Sequence, residues 1–145
     1  MNPTIEISFK TAQAYSAMCK PLCQELKLPQ TAFDILMFLA NNPGLDTARD
    51  VCTYRGLKPG IVSFHVEKLV QEGYLLRQPA PGDRRKCRLV CTRRAEPVVQ
   101  RGRQVQEAFF RRMTAGLDPQ DLAAFRRCLE GFRRNLSQIT QEDAQ

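Results

Sequence analysis

Between Pro59 and Gly73 the apolar residues Val62, Val66, Leu69 and Val70 repeat at helical spacing, and two short β-like runs follow almost at once. This succession limits the fold more than any other feature of the chain. Pro59 suits a first helical position, where its missing N–H costs nothing, and Gly73 suits a helix end. With the four apolar groups turned inward, Gly60, Ser63, Phe64, Glu67 and Lys68 fall on or near the opposite face, with His65 toward one flank. Tyr74–Arg77 and Lys86–Thr92 read as strands joined by Gln78–Arg85, a turn-rich basic loop. Upstream, Thr47 is placed to cap a short helix over Ala48–Arg55, and Gly56 to end it.

Helix, tight turn, helix, then a β-ribbon with a basic tip is the layout of a winged helix-turn-helix, whose second helix enters a major groove. The rest of the chain reads as helix. Ala12, Tyr15, Cys19, Leu22 and Leu26 form one stripe, which Pro21 should kink by removing a backbone donor and crowding the preceding turn. Thr31–Ala40 is a strongly apolar central helix. Val98, Val105, Phe109 and Met113 keep roughly helical spacing beyond the ribbon. Asp118-Pro119 then opens a last helix in which Leu122, Phe125, Leu129, Phe132, Leu136 and Ile139 alternate steps of three and four, a heptad-like seam. Little of the domain is left to cover that seam. The expectation is therefore a single, mainly α domain over 1–145: a winged helix-turn-helix lobe at about 30–95, and N- and C-terminal dimerisation helices at about 5–28 and 96–140. The interface between two copies would use Tyr15, Cys19 and Leu22 of the first helix and the six seam residues of the last.

Charge distribution bears on the partner. Residues 1–54 hold 4 basic and 5 acidic groups, 55–101 hold 11 and 4, and 102–145 hold 7 and 6, so the middle third carries the whole net charge of +7. An excess focused in this way is the footprint of a nucleic-acid contact surface. No apolar run approaches the roughly 18 residues that cross a bilayer, and Met1–Lys10 lacks the pattern of a signal peptide. A cytoplasmic protein with no membrane partner is expected, its six cysteines reduced thiols. With one His, no Gly-rich phosphate loop and no paired-ligand motif, the chain offers no catalytic constellation and calls for no cofactor.

The run Leu57–Ser63 through Leu69 and Gly73, then Tyr74-Leu75-Leu76-Arg77, Asp83-Arg84-Arg85 and Leu89-Val90-Cys91-Thr92, resembles the MarR family of bacterial regulators. The match is detailed over the middle half of the chain, and the flanking helices agree in order and length. The resemblance implies a two-fold dimer on a pseudo-palindromic stretch of double-stranded DNA, usually a repressor, which lets go when a small molecule or an oxidant alters the spacing of its two reading lobes. Its recognition helices would lie roughly 34 Å apart. Contacts are expected from Lys58, Pro59, Gly60, Ser63, Phe64, His65 and Lys68, from Arg77, and from Asp83, Arg84, Arg85 and Lys86 in the wing. Gly60 admits close backbone approach, and Ser63 and His65 offer hydrogen bonds to base edges. The resemblance places the groove-inserting arginine at Arg85, held by Asp83. It also implies an effector pocket between the dimer platform and the reading lobe, here near Tyr15 and Phe38. Three positions depart from the family. Lys58 stands where a Ser or Thr cap is common, Phe64 where Arg is frequent, and Ala95 where Gly is common, so that with Pro97 the helix after the wing should start late.

The cysteines raise a rival reading, a thiol- or metal-sensing regulator. Cys19 and Cys23 are one helical turn apart with Lys20 and Lys27 nearby, a setting for a lowered thiol pKa or a soft-metal site. The oxidant-sensing branch of the family holds its cysteine near the start of the chain, where this sequence has none. Cys87 and Cys91 share a strand face with Leu89 and, like Cys52 and Cys128, read as small core residues. A third reading is a winged helix that binds protein instead of DNA.

Overall fold

The computed structural model describes residues 1–144 as six helices and one two-stranded ribbon. In chain order these are α1 (Pro3–Leu26), α2 (Gln30–Asn41), α3 (Ala48–Arg55), α4 (Pro59–Gln71), β1 (Leu75–Ala80), β2 (Asp83–Cys91), α5 (Ala95–Met113) and α6 (Pro119–Asp143). The chain divides into two units, Met1–Phe109 and the remainder from Phe110. No helix among the described residues is long and apolar enough to cross a membrane.

The first unit is built around α2. Phe33, Ile35, Leu36 and Met37 are all but fully buried there, joined by Val51 of α3, Val62 and Leu69 of α4, and Leu75 of β1. Burying side chains of this size stabilises by about 1.5–3 kcal/mol each, so α2 is the element the others assemble upon. α5 approaches it closely at the buried Gly102, where a β-carbon would collide with Met37 Sδ and lie 3.1 Å from Phe33 Cε2. Arg101 of α5 holds Glu25 of α1 by two hydrogen bonds of 2.8 and 2.6 Å, and keeps that carboxyl below its ordinary value.

Helix ends follow local chemistry. At α3 the Thr47 hydroxyl accepts from the Asp50 N–H (3.1 Å) while the Asp50 carboxylate accepts from the Thr47 N–H (3.0 Å), a reciprocal capping box. Gly56, at φ 63, closes the helix in a left-handed conformation that side chains resist. α1 is helical throughout Pro3–Leu26, with Pro21 exposed and Cys19, Leu22 and Cys23 buried. One expectation needs correcting. α5 starts at Ala95, not late: Ala95 is fully buried and Pro97 occupies the first turn, where a missing N–H breaks no helical bond.

The second unit holds the end of α5, a turn through Gly116 and α6. Asp118 caps α6 by accepting from the Gln120 N–H at 2.7 Å, and Arg126 stacks on Phe110 at 5.9 Å. α6 buries none of its side chains: Leu122 is half-buried, while Phe125, Leu129, Phe132, Leu136 and Ile139 are all about half exposed or more.

Candidate nucleic-acid interface

α4 presents a continuous exposed face. Val62, Val66 and Leu69 are buried, which turns Gly60, Ser63, Phe64 and Lys68 to solvent, with Lys58 and Pro59 exposed at its start. Lys58 makes no side-chain cap, Pro59 has no N–H, and the Ile61 N–H donates to the Lys58 carbonyl at 3.0 Å. Phe64 is 56% exposed, and the Lys68 ammonium sits 5.2 Å from its ring centroid. His65 is half-buried at the flank, its ring 5.2 Å edge-on from Phe64 and its Nδ1 enclosed without a partner. Burial, and secondarily Lys68, lower its pKa and so favour the neutral imidazole.

Beside this helix stands the ribbon, longer than the sequence implied. Gln78–Arg85 is not a loop: Gln78–Ala80 belong to β1 and Asp83–Arg85 to β2, leaving only Pro81-Gly82 as the turn. Pro79 and Pro81 read as loop signals, but Pro81 lies in the turn itself, and each strand of a two-stranded ribbon has a free side, where the Pro79 nitrogen costs no ladder bond. Gly82, at φ 80, makes the reversal. The register is regular from Leu75↔Cys91 to Pro79↔Cys87 and then jumps to Ala80↔Asp83. Arg84, Arg85 and Lys86 therefore have no opposite residues in β1; they form a bulge, all three exposed. The Asp83 carboxylate accepts from the Arg85 N–H at 2.9 Å and shapes this bulge from within.

Arg77, grouped in the sequence with the contact residues, is engaged inside the chain: its guanidinium donates to Glu67 of α4 at 2.7 Å, and this holds the Glu67 carboxyl below its ordinary value. Two residues of the region escaped the sequence reading. Arg88 of β2 forms an ion pair with Asp46 of the α2–α3 connection at 2.6 Å, a contact across 42 residues that no local pattern announces. Arg94 stacks on Tyr74 at 5.1 Å beside the base of the ribbon.

Tyr15 and Phe38 do come together, lining a cavity of about 210 Å³ with Asp34 and Arg55. Gln106 donates to the Tyr15 hydroxyl at 3.0 Å, and burial pushes the Tyr15 pKa well up. Burial also raises the Asp34 carboxyl, opposed by Arg55 at 3.5 Å. The cavity joins α1, α2, α3 and α5 within the first unit.

Several expected roles meet the opposite environment. Cys19 and Leu22, expected at an interface between copies, are 0% and 5% exposed in the core of their own chain, because the stripe they share with Cys23 faces α2. Tyr15 is half-buried by contacts of the same kind, edge-on to Phe109 at 5.4 Å. As a redox or metal pair, Cys19 and Cys23 have the wrong surroundings: burial raises both thiols, Cys23 to about 11, and no group of three or more ligating side chains gathers among the described residues. Cys87 and Cys128 are exposed, not core: the ribbon leaves the core before it reaches Cys87, and α6 buries nothing within its chain. Cys52 and Cys91 are half-buried against the core.

Residues 26–86, which span α2 to the bulge, match the sequence model of the MarR family. A search of curated proteins finds no match. Among solved structures, a MarR transcriptional regulator from Methanosarcina mazei Go1 is 20% identical with a TM-score of 0.74, over 94% of this chain and 95% of that one. The transcriptional regulator SlyA is 17% identical with a TM-score of 0.80, over 95% and 96%. Wild-type MarR from E. coli is 16% identical with a TM-score of 0.69, over 91% and 98%. The chain is thus a winged helix of the MarR fold, and its residues 26–86 carry the MarR family match.

Proposed function

We propose that this chain is a transcriptional regulator that binds double-stranded DNA as a two-fold homodimer and represses by default. α4 would enter the major groove with Gly60, Ser63, Phe64, His65 and Lys68 toward base edges and Lys58 and Pro59 at the backbone. The bulge would set Arg84, Arg85 and Lys86 on flanking phosphates or a narrow minor groove, where negative potential favours guanidinium. The observation that carries this reading is the bulge itself: three consecutive cations, unpaired and exposed, in a ribbon whose β1 is tied to α4 through Arg77 and Glu67. α6 supplies the second half of the argument, since its half-exposed apolar seam suits pairing with another copy. The Tyr15–Phe38 cavity is the proposed seat of a small-molecule effector, because a ligand there would touch α3 and the platform helices together. The protein would work in the cytoplasm, on chromosomal DNA, without a cofactor or catalytic step.

The test begins with selection of bound fragments from genomic DNA, then titrates the selected duplex at several salt concentrations. Binding should weaken steeply with salt, and Arg84→Ala, Arg85→Ala and Lys86→Ala should each flatten the dependence by about one counterion. Salt-independent binding, or three variants with unaltered slopes, contradicts the proposal. Repeating the selection with small aromatic acids should release fragments if the cavity is the effector site.

A further inference from the structure

A two-stranded ribbon is marginal on its own in water, so something must hold this one at a fixed angle. Its base is secured where the Thr92 hydroxyl donates to Gly73 O at 2.6 Å and the Thr92 N–H to Tyr74 O at 3.1 Å. Farther out, Asp46 holds β2 by backbone and side chain together. Its carbonyl accepts from the Leu89 N–H at 2.7 Å, and its Oδ2 takes Arg88 Nε at 2.7 Å and Nη2 at 2.6 Å. Asp46 stands immediately before the capping residue of α3, so this contact ties the ribbon to the start of the helix-turn-helix. On the other strand, Arg77 ties β1 to α4 through Glu67. Exposed ion pairs contribute little; here the Asp46 side chain is only 20% exposed and the guanidinium grips it through two nitrogens. Lys86, the near end of the basic bulge, is two residues from Arg88, roughly 7 Å along the strand.

We infer that Asp46 is a positioning residue for DNA reading: its brace on Arg88 sets the aim of Arg84–Lys86, and Arg88 is thereby withdrawn from the cations that meet phosphate. The inference rests on the DNA-binding reading above and makes a prediction opposite to simple electrostatics. Asp46 is an acid beside a surface that meets a polyanion, so deleting its charge should, by Coulomb attraction alone, tighten binding. A positioning role requires that binding weaken.

Asp46→Asn, Arg88→Gln and the double variant of the full chain are titrated against the selected duplex across salt, with hydrogen exchange followed over Cys87–Val90 in the free protein. Each single variant should lose about tenfold in affinity, the double variant no more than either, with the salt slope unaltered and exchange in β2 accelerated. Asp46→Glu, which keeps the charge, should recover most of the loss. Equal or tighter binding by Asp46→Asn, a slope lowered by about one in Arg88→Gln, or unaltered exchange overturns the brace. If the unmodified protein binds no duplex, the DNA reading itself fails, and exchange alone decides: acceleration in Asp46→Asn upholds the brace and its absence removes it.

Discussion

A thiol reacts as thiolate, and water or a nearby cation must stabilise that charge. Cys87 and Cys128 stand in solvent, whereas Cys19 and Cys23 sit among hydrocarbon that raises both of them. A thiol-disulfide reagent should therefore label Cys87 and Cys128 first and Cys52 and Cys91 more slowly, leaving Cys19 and Cys23 unlabelled until the chain unfolds. Peptide mass spectrometry over time reads the order, and early labelling of Cys19 would contradict the packing of α1. Strand alternation predicts Cys87, Leu89 and Cys91 on one side of β2, yet of the three only Leu89 is buried. Period tells which face a residue shares; it does not tell where the strand runs out of core to cover that face. The same limit applied to Cys19 and Leu22, whose stripe was legible while its partner, α2 and not a second chain, was not.

Among the elements, α3 was readable to the residue and α4 at its start because these boundaries are written in adjacent side chains, Thr47 and Gly56 for one and Pro59 for the other, while α4 ends at Gln71, short of Gly73. α3 is only 8 residues long, too short to persist without its ends and its packing. Thr47→Ala removes one half of the capping box and should destabilise the protein by about 1–2 kcal/mol, seen as a melting temperature lower by a few degrees. An unaltered melting temperature would mean that burial of Val51 alone secures the helix. The ribbon resisted prediction for a complementary reason. Its length depends on pairing between residues up to 16 positions apart, Leu75 with Cys91, and of the prolines that suggested a loop Pro79 is tolerated in β1 and Pro81 lies in the turn. The Asp46–Arg88 contact was equally invisible, since two charges 42 residues apart carry no shared local pattern.

At the scale of the molecule, α6 shows what a lone chain leaves unfinished. Its 25 residues bury no side chain, and five large apolar groups of the seam are at least 46% exposed. The heptad spacing made the seam visible in sequence; its occupant belongs to the proposed dimer. Phe132→Glu combined with Leu136→Glu should convert that dimer to monomer at micromolar concentration in sedimentation, and weaken duplex binding steeply because two half-sites would no longer be engaged together. A dimer that survives both charges would place the interface elsewhere. The bulge in β2 has a second consequence, for the protein when no DNA is bound. A two-stranded ribbon has two outer edges, and wherever they stay unpaired, as they do beyond the Leu89 N–H that Asp46 occupies, they can template pairing with another chain and so seed aggregates. Three residues out of register break the flat run of donors and acceptors on one edge, and Arg84, Arg85 and Lys86 surround it with like charge that a second ribbon would have to approach. The cations proposed to draw the wing to nucleic acid would thus also keep one wing from adhering to another.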